Sequence, residues 1–583
     1  MPEFFLCSSL WIQGSIISLK SGKQHDSDDG LSHQLMSVIR QTFGWILFGA
    51  TLIGCQPYAL PPADLVIING KEPESLDPVI INGQADGRIV SALFEGLTRY
   101  NAKTGIPEPS LAQSWEIDPS GTNYRFSLRP DLRWSDGRPL TASDIIYSWR
   151  RVLEPASACD YANILFCIEN AEAFHRGTLT DFNEVGIRAL GTEQLHITLR
   201  KPTPYFLDIC CYPALGTVPR APIEKHGDRW LLQEDLPTSG SYRLGFWRLN
   251  DRIRLLRNDA YWDRANVRSK TVDILPTSNA STALNLYETG EVDIVWDKEL
   301  IPTELVGLLR QRADFHVADF LGTYFLRINT LKPPFSNPQV RQASAHAIDR
   351  NRLVEKITGA GEAIAPHLVP LGIPNYTSPE GISYNPSKAR QWLEDAGFPN
   401  GAGFPPIDYL FNSSKLNEQI AVEIQAMWRE HLGIETNLRQ LEWKSYLQDQ
   451  TNLKYDVSRS SWIGDYIDPQ TFLEVFTSGS GNNRTGWENP IYDALLEKGG
   501  SAENTAERMV VLKQAESILI KDAAPIIPLY FYVSMEYYDT NRISGVHPNI
   551  RAEHPIRAIQ RRDPSGRDST LRSTELGVQG NER

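Results

Sequence analysis

The residues best suited to chemistry lie in Arg459-Ser-Ser-Trp-Ile-Gly-Asp465-Tyr466-Ile-Asp468-Pro469, where two carboxylates stand three residues apart. A pair of acids suits acid–base work when one is held protonated and the other ionised. A single buried carboxylate is different: it is expensive to leave charged and alone, so it calls for a cationic partner. Asp465 also reads as a plain turn residue ahead of Tyr466. The chain carries no Gly-x-Ser-x-Gly elbow, no His-Glu-x-x-His and no Cys/His pairing at an informative spacing. Cys159, Cys167, Cys210 and Cys211 have no zinc-ligand spacing. In an oxidising compartment Cys159 or Cys167 would link to the 210–211 pair; buried free thiols are the equal alternative. Gly359-Ala-Gly361 and Gly401-Ala-Gly403 are too short for a nucleotide loop and read as turns. The expectation is a protein that is not an enzyme and needs no metal or cofactor.

The frame that must position these residues is large. At 583 residues the chain exceeds the roughly 250–300 that one core supports, so two or three packed units are expected. A formal net charge of −13 argues against nucleic acid as a partner. With 14 Trp and 22 Tyr the composition is that of an ordered globule. Phe43 to Ile53 is apolar but too short to cross a bilayer, follows Arg40, and ends in Leu52-Ile53-Gly54-Cys55. This is the layout of a lipoprotein signal peptide, 36–54, with Cys55 as the acylated residue of the mature chain and 55–63 as a tether. Residues 1–35 carry the acidic run Asp26-Ser-Asp-Asp29, wrong in sign for a signal peptide, and read as a non-native extension before Met36. The polar stretch 562–583 reads as a disordered tail.

Between these ends, strand and helix signals alternate, the pattern of an α/β protein. Tyr124, Phe126 and Leu128 alternate with polar residues, as in a half-buried strand. Thr141 with Asp144 predicts a capping box, with Ile145, Trp149 and Val152 lining one helical face. Asn337-Pro338 predicts the start of a helix that carries Val340, Ala343, Ala347, Val354 and Ile357 and stops at Gly359. A third helix runs from Leu416 to Leu432, closed by Gly433, before the alternating Ile434, Thr436 and Leu438.

Many motifs in order resemble the extracytoplasmic solute-binding proteins of family 5, in particular the oligopeptide-binding members that serve ABC importers. They include Glu72-Pro-Glu-Ser-Leu-Asp-Pro78, Leu93-Phe-Glu-Gly-Leu97, Leu111-Ala-Gln-Ser-Trp115, Arg133-Trp-Ser-Asp-Gly137, Tyr147-Ser-Trp-Arg-Arg151, Tyr324-Phe-Leu-Arg-Ile-Asn329 and Pro525-Ile-Ile-Pro-Leu-Tyr530. The resemblance implies a two-lobed periplasmic-binding-protein (Venus-flytrap) fold of type II, cluster C, with an extra domain. Lobe I would comprise 64–97, 221–322 and 534–561, the extra domain 98–220, and lobe II 323–533.

It also implies a site. Asp465 would pair with a peptide's α-ammonium group, Trp462 would line a side-chain pocket, and Ile463 would offer its main chain. Arg459 would meet the peptide's carboxylate, for which a planar guanidinium is apt. Tyr161 of the extra domain and Tyr324 would contact the guest. Asn82 is a departure, since relatives can carry a carboxylate near this position. The implied protein is a monomeric receptor of the cell envelope, held by a lipid on Cys55, that closes on short peptides and passes them to an ABC transporter permease. Murein peptides, nickel complexes or sugars as guests, or a role as a ligand sensor, are the alternatives.

Overall fold

The computed structural model describes residues 60–81, 83–502 and 504–562. The expected signal peptide, Cys55, Asn82 and the tail beyond Arg562 lie outside them.

The backbone of the molecule is a ten-stranded mixed sheet, drawn from β1 (Leu65–Ile68), β8 (Tyr242–Arg248), β9 (Arg252–Arg257), β10 (Thr271–Leu275), β11 (Ile294–Val295), β12 (Phe315–Ile328), β13 (Ile407–Asn412), β14 (Thr436–Leu441), β15 (Val457–Ile463) and β16 (Ile526–Tyr538). Its order is β14-β13-β15-β12-β16-β11-β1-β10-β9-β8. The two central strands are long, 14 and 13 residues. At about 3.3 Å per residue each reaches some 45 Å, enough to run through two cores. Their antiparallel register breaks between Asp319 and Thr323. On one side of the break, Leu65, Ile67, Trp230, Tyr242, Leu255 and Trp296 build a first-lobe core. On the other, Phe325, Tyr409, Trp428, Phe472, Tyr492 and Leu529 build a second-lobe core. From Phe320 to Ile328 every residue of β12 is buried, as befits a central strand covered on both faces.

A third core gathers residues between Val79 and Leu215, including Tyr124, Phe126, Trp149 and Phe206. It packs against a four-stranded antiparallel sheet of β4 (Ala112–Ile117), β5 (Asn123–Leu128), β7 (Gln194–Thr198) and β6 (Ile187–Ala189). The hairpin β2 (Thr98–Tyr100) and β3 (Pro107–Pro109) precedes it, and a short pair, β17 (Ile543–Ser544) and β18 (Gln560–Arg561), comes last among the described residues.

Tyr124, Phe126 and Leu128 are the buried side of β5, as their spacing requires. The helix Ala142–Leu153 starts at the Thr141/Asp144 capping box and buries Ile145, Trp149 and Val152. The helix Lys415–Leu432 ends at Gly433, whose φ of 68° is the left-handed value that favours glycine there. The helix expected from Pro338 to Gly359 is instead broken. It runs Pro338–His346, and a second starts at Arg350 because the Asp349 carboxylate accepts the N–H groups of Asn351 and Arg352. Apolar spacing continued through the gap and concealed it; an N-cap residue inside a helical pattern was the signal against it.

The Leu76-Asp77-Pro78 motif has a structural task. Asp77 is buried, accepts both guanidinium nitrogens of Arg151 at 3.2 and 2.8 Å, and accepts Trp230 Nε1 at 2.8 Å. One carboxylate thus ties the helix Ala142–Leu153 of the third core to Trp230 of the first.

Candidate functional site

β15 is the element that presents the candidate residues. Along its length it pairs with β12, from Ile463 opposite Gly322 to Val457 opposite Ile328. On its other edge it pairs with β13 only through Val457 and Ser458. At Arg459 the main-chain oxygen on this strand already accepts Tyr446 OH and Gln450 Nε2, so the edge that neither β13 nor these side chains cover runs from Ser460 to Ile463, where Ile463 is 40% exposed. Gly464 then turns the chain. Its N–H donates to Leu321 O at 2.8 Å, and a Cβ there would lie 2.8 Å from Leu321 Cδ2, so a larger residue would have to push the Leu321 side chain aside.

Alternation along β15 sends side chains to opposite faces. Trp462 lies on the face of Thr323, and its Nε1 donates to Thr471 Oγ1 at 3.4 Å. The same hydroxyl accepts the Asp465 N–H at 3.1 Å, so Trp462 and the Asp465 turn share one anchor. Arg459, Ser461 and Ile463 lie on the opposite face with Tyr324.

Asp465 sits where the second lobe meets the extra domain and the chain's C-terminal segment. Burial pushes its carboxyl up to about 6, opposed by the charge of Arg551. Arg551 is engaged elsewhere: it donates to Tyr100 OH at 2.6 Å, to Asp208 Oδ1 at 3.3 Å and to the main-chain oxygen of Asp465 at 3.2 Å. Tyr161 and Tyr212, ring centroids 4.9 Å apart, both feel the Asp465 charge from the extra-domain side. Asp465, Trp462 and Tyr161 therefore converge on one end of the seam.

Asp468 does not join them as a second acid. Its carboxylate accepts Arg508 through two bonds of 2.6 and 2.8 Å and caps the helix Gln470–Leu473 through the Gln470 N–H. The acid–base pair considered from the sequence is thus dismantled: Asp468 is a buried structural ion. Tyr466 is likewise structural. It stacks on Tyr205 of the extra domain with centroids 3.8 Å apart and an interplanar angle of 2°, and donates to Glu474 Oε1 at 2.8 Å.

At the other end stands Arg459. Its Nη2 donates to Tyr532 OH at 3.2 Å, and its guanidinium lies 4.9 Å from the centre of the Tyr324 ring. Tyr324 is 1% exposed, its hydroxyl donates to Asn417 Oδ1 and its ring stacks on Tyr530, so in this conformation it underlies Arg459 and has no surface left for a guest. The four described cysteines are free thiols, and the disulfide alternative is not formed. Burial raises all four, that of Cys167 to about 12, which leaves them inert at neutral pH.

Sequence reasoning missed Tyr100, Tyr205, Asp208, Tyr212 and Arg551, which complete the Asp465 end from distant parts of the chain. Among the described residues no cluster of His, Cys, Asp or Glu suits a metal, and no helix is long and apolar enough to cross a membrane.

A sheet continuous through two lobes, an inserted third unit and a partly uncovered strand edge at the seam define a two-lobed solute-binding protein of the periplasmic-binding-protein class. The chain belongs to the bacterial extracellular solute-binding proteins, family 5, whose model matches residues 107–484. It is 34% identical to the periplasmic oligopeptide-binding protein OppA of Salmonella typhimurium over 81% of this chain and 87% of that one. It is 33% identical to the periplasmic murein peptide-binding protein MppA of Escherichia coli, over 79% and 86%. Its fold is similar to the crystal structure of a periplasmic oligopeptide-binding protein from Borrelia burgdorferi, with a TM-score of 0.74 and 32% identity, over 86% of this chain and all of that one. The chain is a solute-binding component of a transporter, not an enzyme.

Proposed function

We propose that this protein captures short peptides at the seam between its lobes and delivers them to an ABC importer. The observation that carries the reading is Asp465, a half-buried carboxylate at the seam whose neighbouring cation, Arg551, is engaged with other acceptors. A peptide's α-ammonium group supplies the missing positive charge, in a charge-assisted contact of about 1.5–3 kcal/mol. The edge of β15 beyond Arg459 accepts the guest's main chain as an added strand, which gives affinity without sequence preference. Trp462 and Tyr161 flank the first residues, and Arg459 meets the carboxyl end.

In this reading lobe I comprises 64–97, 221–322 and 534–561, the extra domain 98–220, and lobe II 323–533, hinged where β12 and β16 lose register. An acylated Cys55 holds the receptor at the membrane beside its permease, with several acyl chains at about 0.8 kcal/mol per buried CH₂ making release rare. Titration calorimetry with one short peptide, free or N-acetylated, tests the anchor: acetylation removes the charge and should abolish most of the affinity. The likeness to the murein peptide-binding protein favours a second reading, in which the guest derives from the cell wall. Mass spectrometry of ligands co-purified with the protein separates the two.

A further inference from the structure

We infer that Lys298 of the first lobe is a specificity-determining residue, forming with Arg459 of the second lobe a two-sided clamp for the carboxylate of the guest. The inference rests on the peptide reading and adds to it a cation from the opposite lobe.

Both cations address one residue at the crossing strands. Arg459 Nη2 donates to the Tyr532 hydroxyl, and Lys298 Nζ lies 3.9 Å from the centre of the Tyr532 ring and 5.6 Å from that of Phe320. Neither has a carboxylate within ion-pair distance among the described residues. Arg327 on β12 has none either, but it donates to Ser460 Oγ at 2.9 Å and Asn482 O at 2.7 Å, and arginines elsewhere in the chain do pair. Arg252 and Arg254 share Asp273, and Arg561 holds Asp293. Arg459 Nε is buried with no hydrogen-bond partner. The acids nearby are committed. Asp297, beside Lys298, caps its own turn by accepting the Glu299 N–H. Glu362, whose charge reaches Tyr530, accepts Thr358 Oγ1 and the Ala360 N–H.

What surrounds the two cations is aromatic: Tyr324, Tyr530 and Tyr532 lie against one another with centroids 4.9 to 6.4 Å apart. Ring faces tolerate a cation but do not neutralise it. The local field is strong enough to show in Tyr532: burial alone would raise its hydroxyl, yet Arg459 first and Lys298 second pull it below the ordinary phenol value. Two half-buried cations with no counter-ion are costly to bring together unless an anion joins them. Five residues separate Arg459 from Asp465, six steps of chain that span at most about 20 Å when extended, which matches a peptide of roughly five residues. An ammonium at one end and a carboxylate at the other then complete both unpaired charges.

The test is calorimetry with a five-residue alanine-rich peptide in three forms: free acid, C-terminal amide and N-acetylated acid. Wild type should bind the acid about tenfold or more tightly than the amide. Lys298→Met should reduce that ratio to about threefold or less while leaving the loss on N-acetylation unchanged, and Lys298→Arg should restore it. Lys298 is half-buried at the start of a three-residue turn, so the Met variant keeps its packing. An unchanged acid-to-amide ratio in Lys298→Met, with the N-acetyl loss intact, overturns the clamp and leaves the peptide reading standing. If wild type distinguishes none of the three forms, the peptide reading fails and the clamp fails with it.

Discussion

Replacing Asp465 by Asn removes one charge from the seam and keeps the side chain's size. The magnitude follows from the environment. Burial lifts the carboxyl from 3.8 to about 6; at 1.36 kcal/mol per pKa unit, keeping it ionised at neutral pH costs the empty protein about 3 kcal/mol. A guest ammonium returns that energy and adds a hydrogen bond, so truncating the pair should weaken binding by about 2–5 kcal/mol, roughly 30-fold to several thousand-fold in Kd. The assay is calorimetry on wild type and Asp465→Asn, each with a free and an N-acetylated peptide. Acetylation should cost wild type as much as the mutation does, and should cost the variant almost nothing further. Acidification gives an independent arm. Below pH 6 the wild-type carboxyl takes a proton that the ammonium must displace, so affinity should fall by up to about tenfold per pH unit, and Asp465→Asn should lose this slope. A variant that still binds free peptide tens of times better than acetylated peptide would refute the anchor, whatever its absolute affinity.

Other perturbations reach the parts that hold the site. Arg508→Ala leaves Asp468 buried without its partner and should lower unfolding stability by about 3–5 kcal/mol, read as a shifted denaturation midpoint. Tyr205→Ala removes the stack on Tyr466, worth about 0.5–1.5 kcal/mol beyond its area, and should weaken peptide binding several-fold by loosening the extra domain from the second lobe. Cys159, Cys167, Cys210 and Cys211 should resist alkylation in the folded protein and all react once it is unfolded, with no change in Tm on adding reductant.

What could be read from the sequence was whatever local spacing controls. The capping box at Thr141, the glycine stop at Gly433 and the alternation of β5 are decided within a few residues, and they stand. The Asp465 turn was legible because its motif is contiguous with β15. Its partners were not. Arg551 reaches Tyr100 across 451 residues and Asp208 across 343, and nothing around Asn549-Ile-Arg551-Ala marks that arginine as different from its neighbours. Lys298 carries no motif either; only the folding of β12 and β16 against its turn gives it Tyr532 to face. Tyr324 misled for the converse reason. It lies on β12 beside β15, but alternation places it under Arg459, where Asn417 and Tyr530 consume it.

The carboxylates at the seam also bear on why closure would await a guest. Burial raises Asp465 and Asp208 to about 6 and Glu474 to about 7, with Arg551 opposing at Asp208 and Tyr466 and Lys201 at Glu474. Groups raised in the closed state bind more protons there than when solvated in an open one. Closure of the empty protein is therefore favoured at low pH and loses that support as pH rises through 6 to 7. Above that range the acids are charged together, Asp465 acting against the charge of Glu474, which would favour an open empty cleft until an ammonium arrives. Small-angle scattering on ligand-free protein should then show a more compact molecule at pH 5 than at pH 8, while peptide affinity moves the opposite way. The opposed signs are diagnostic, because general acid loosening would expand the molecule as it weakened binding. Compactness independent of pH between 5 and 8 would mean that these carboxylates do not govern closure.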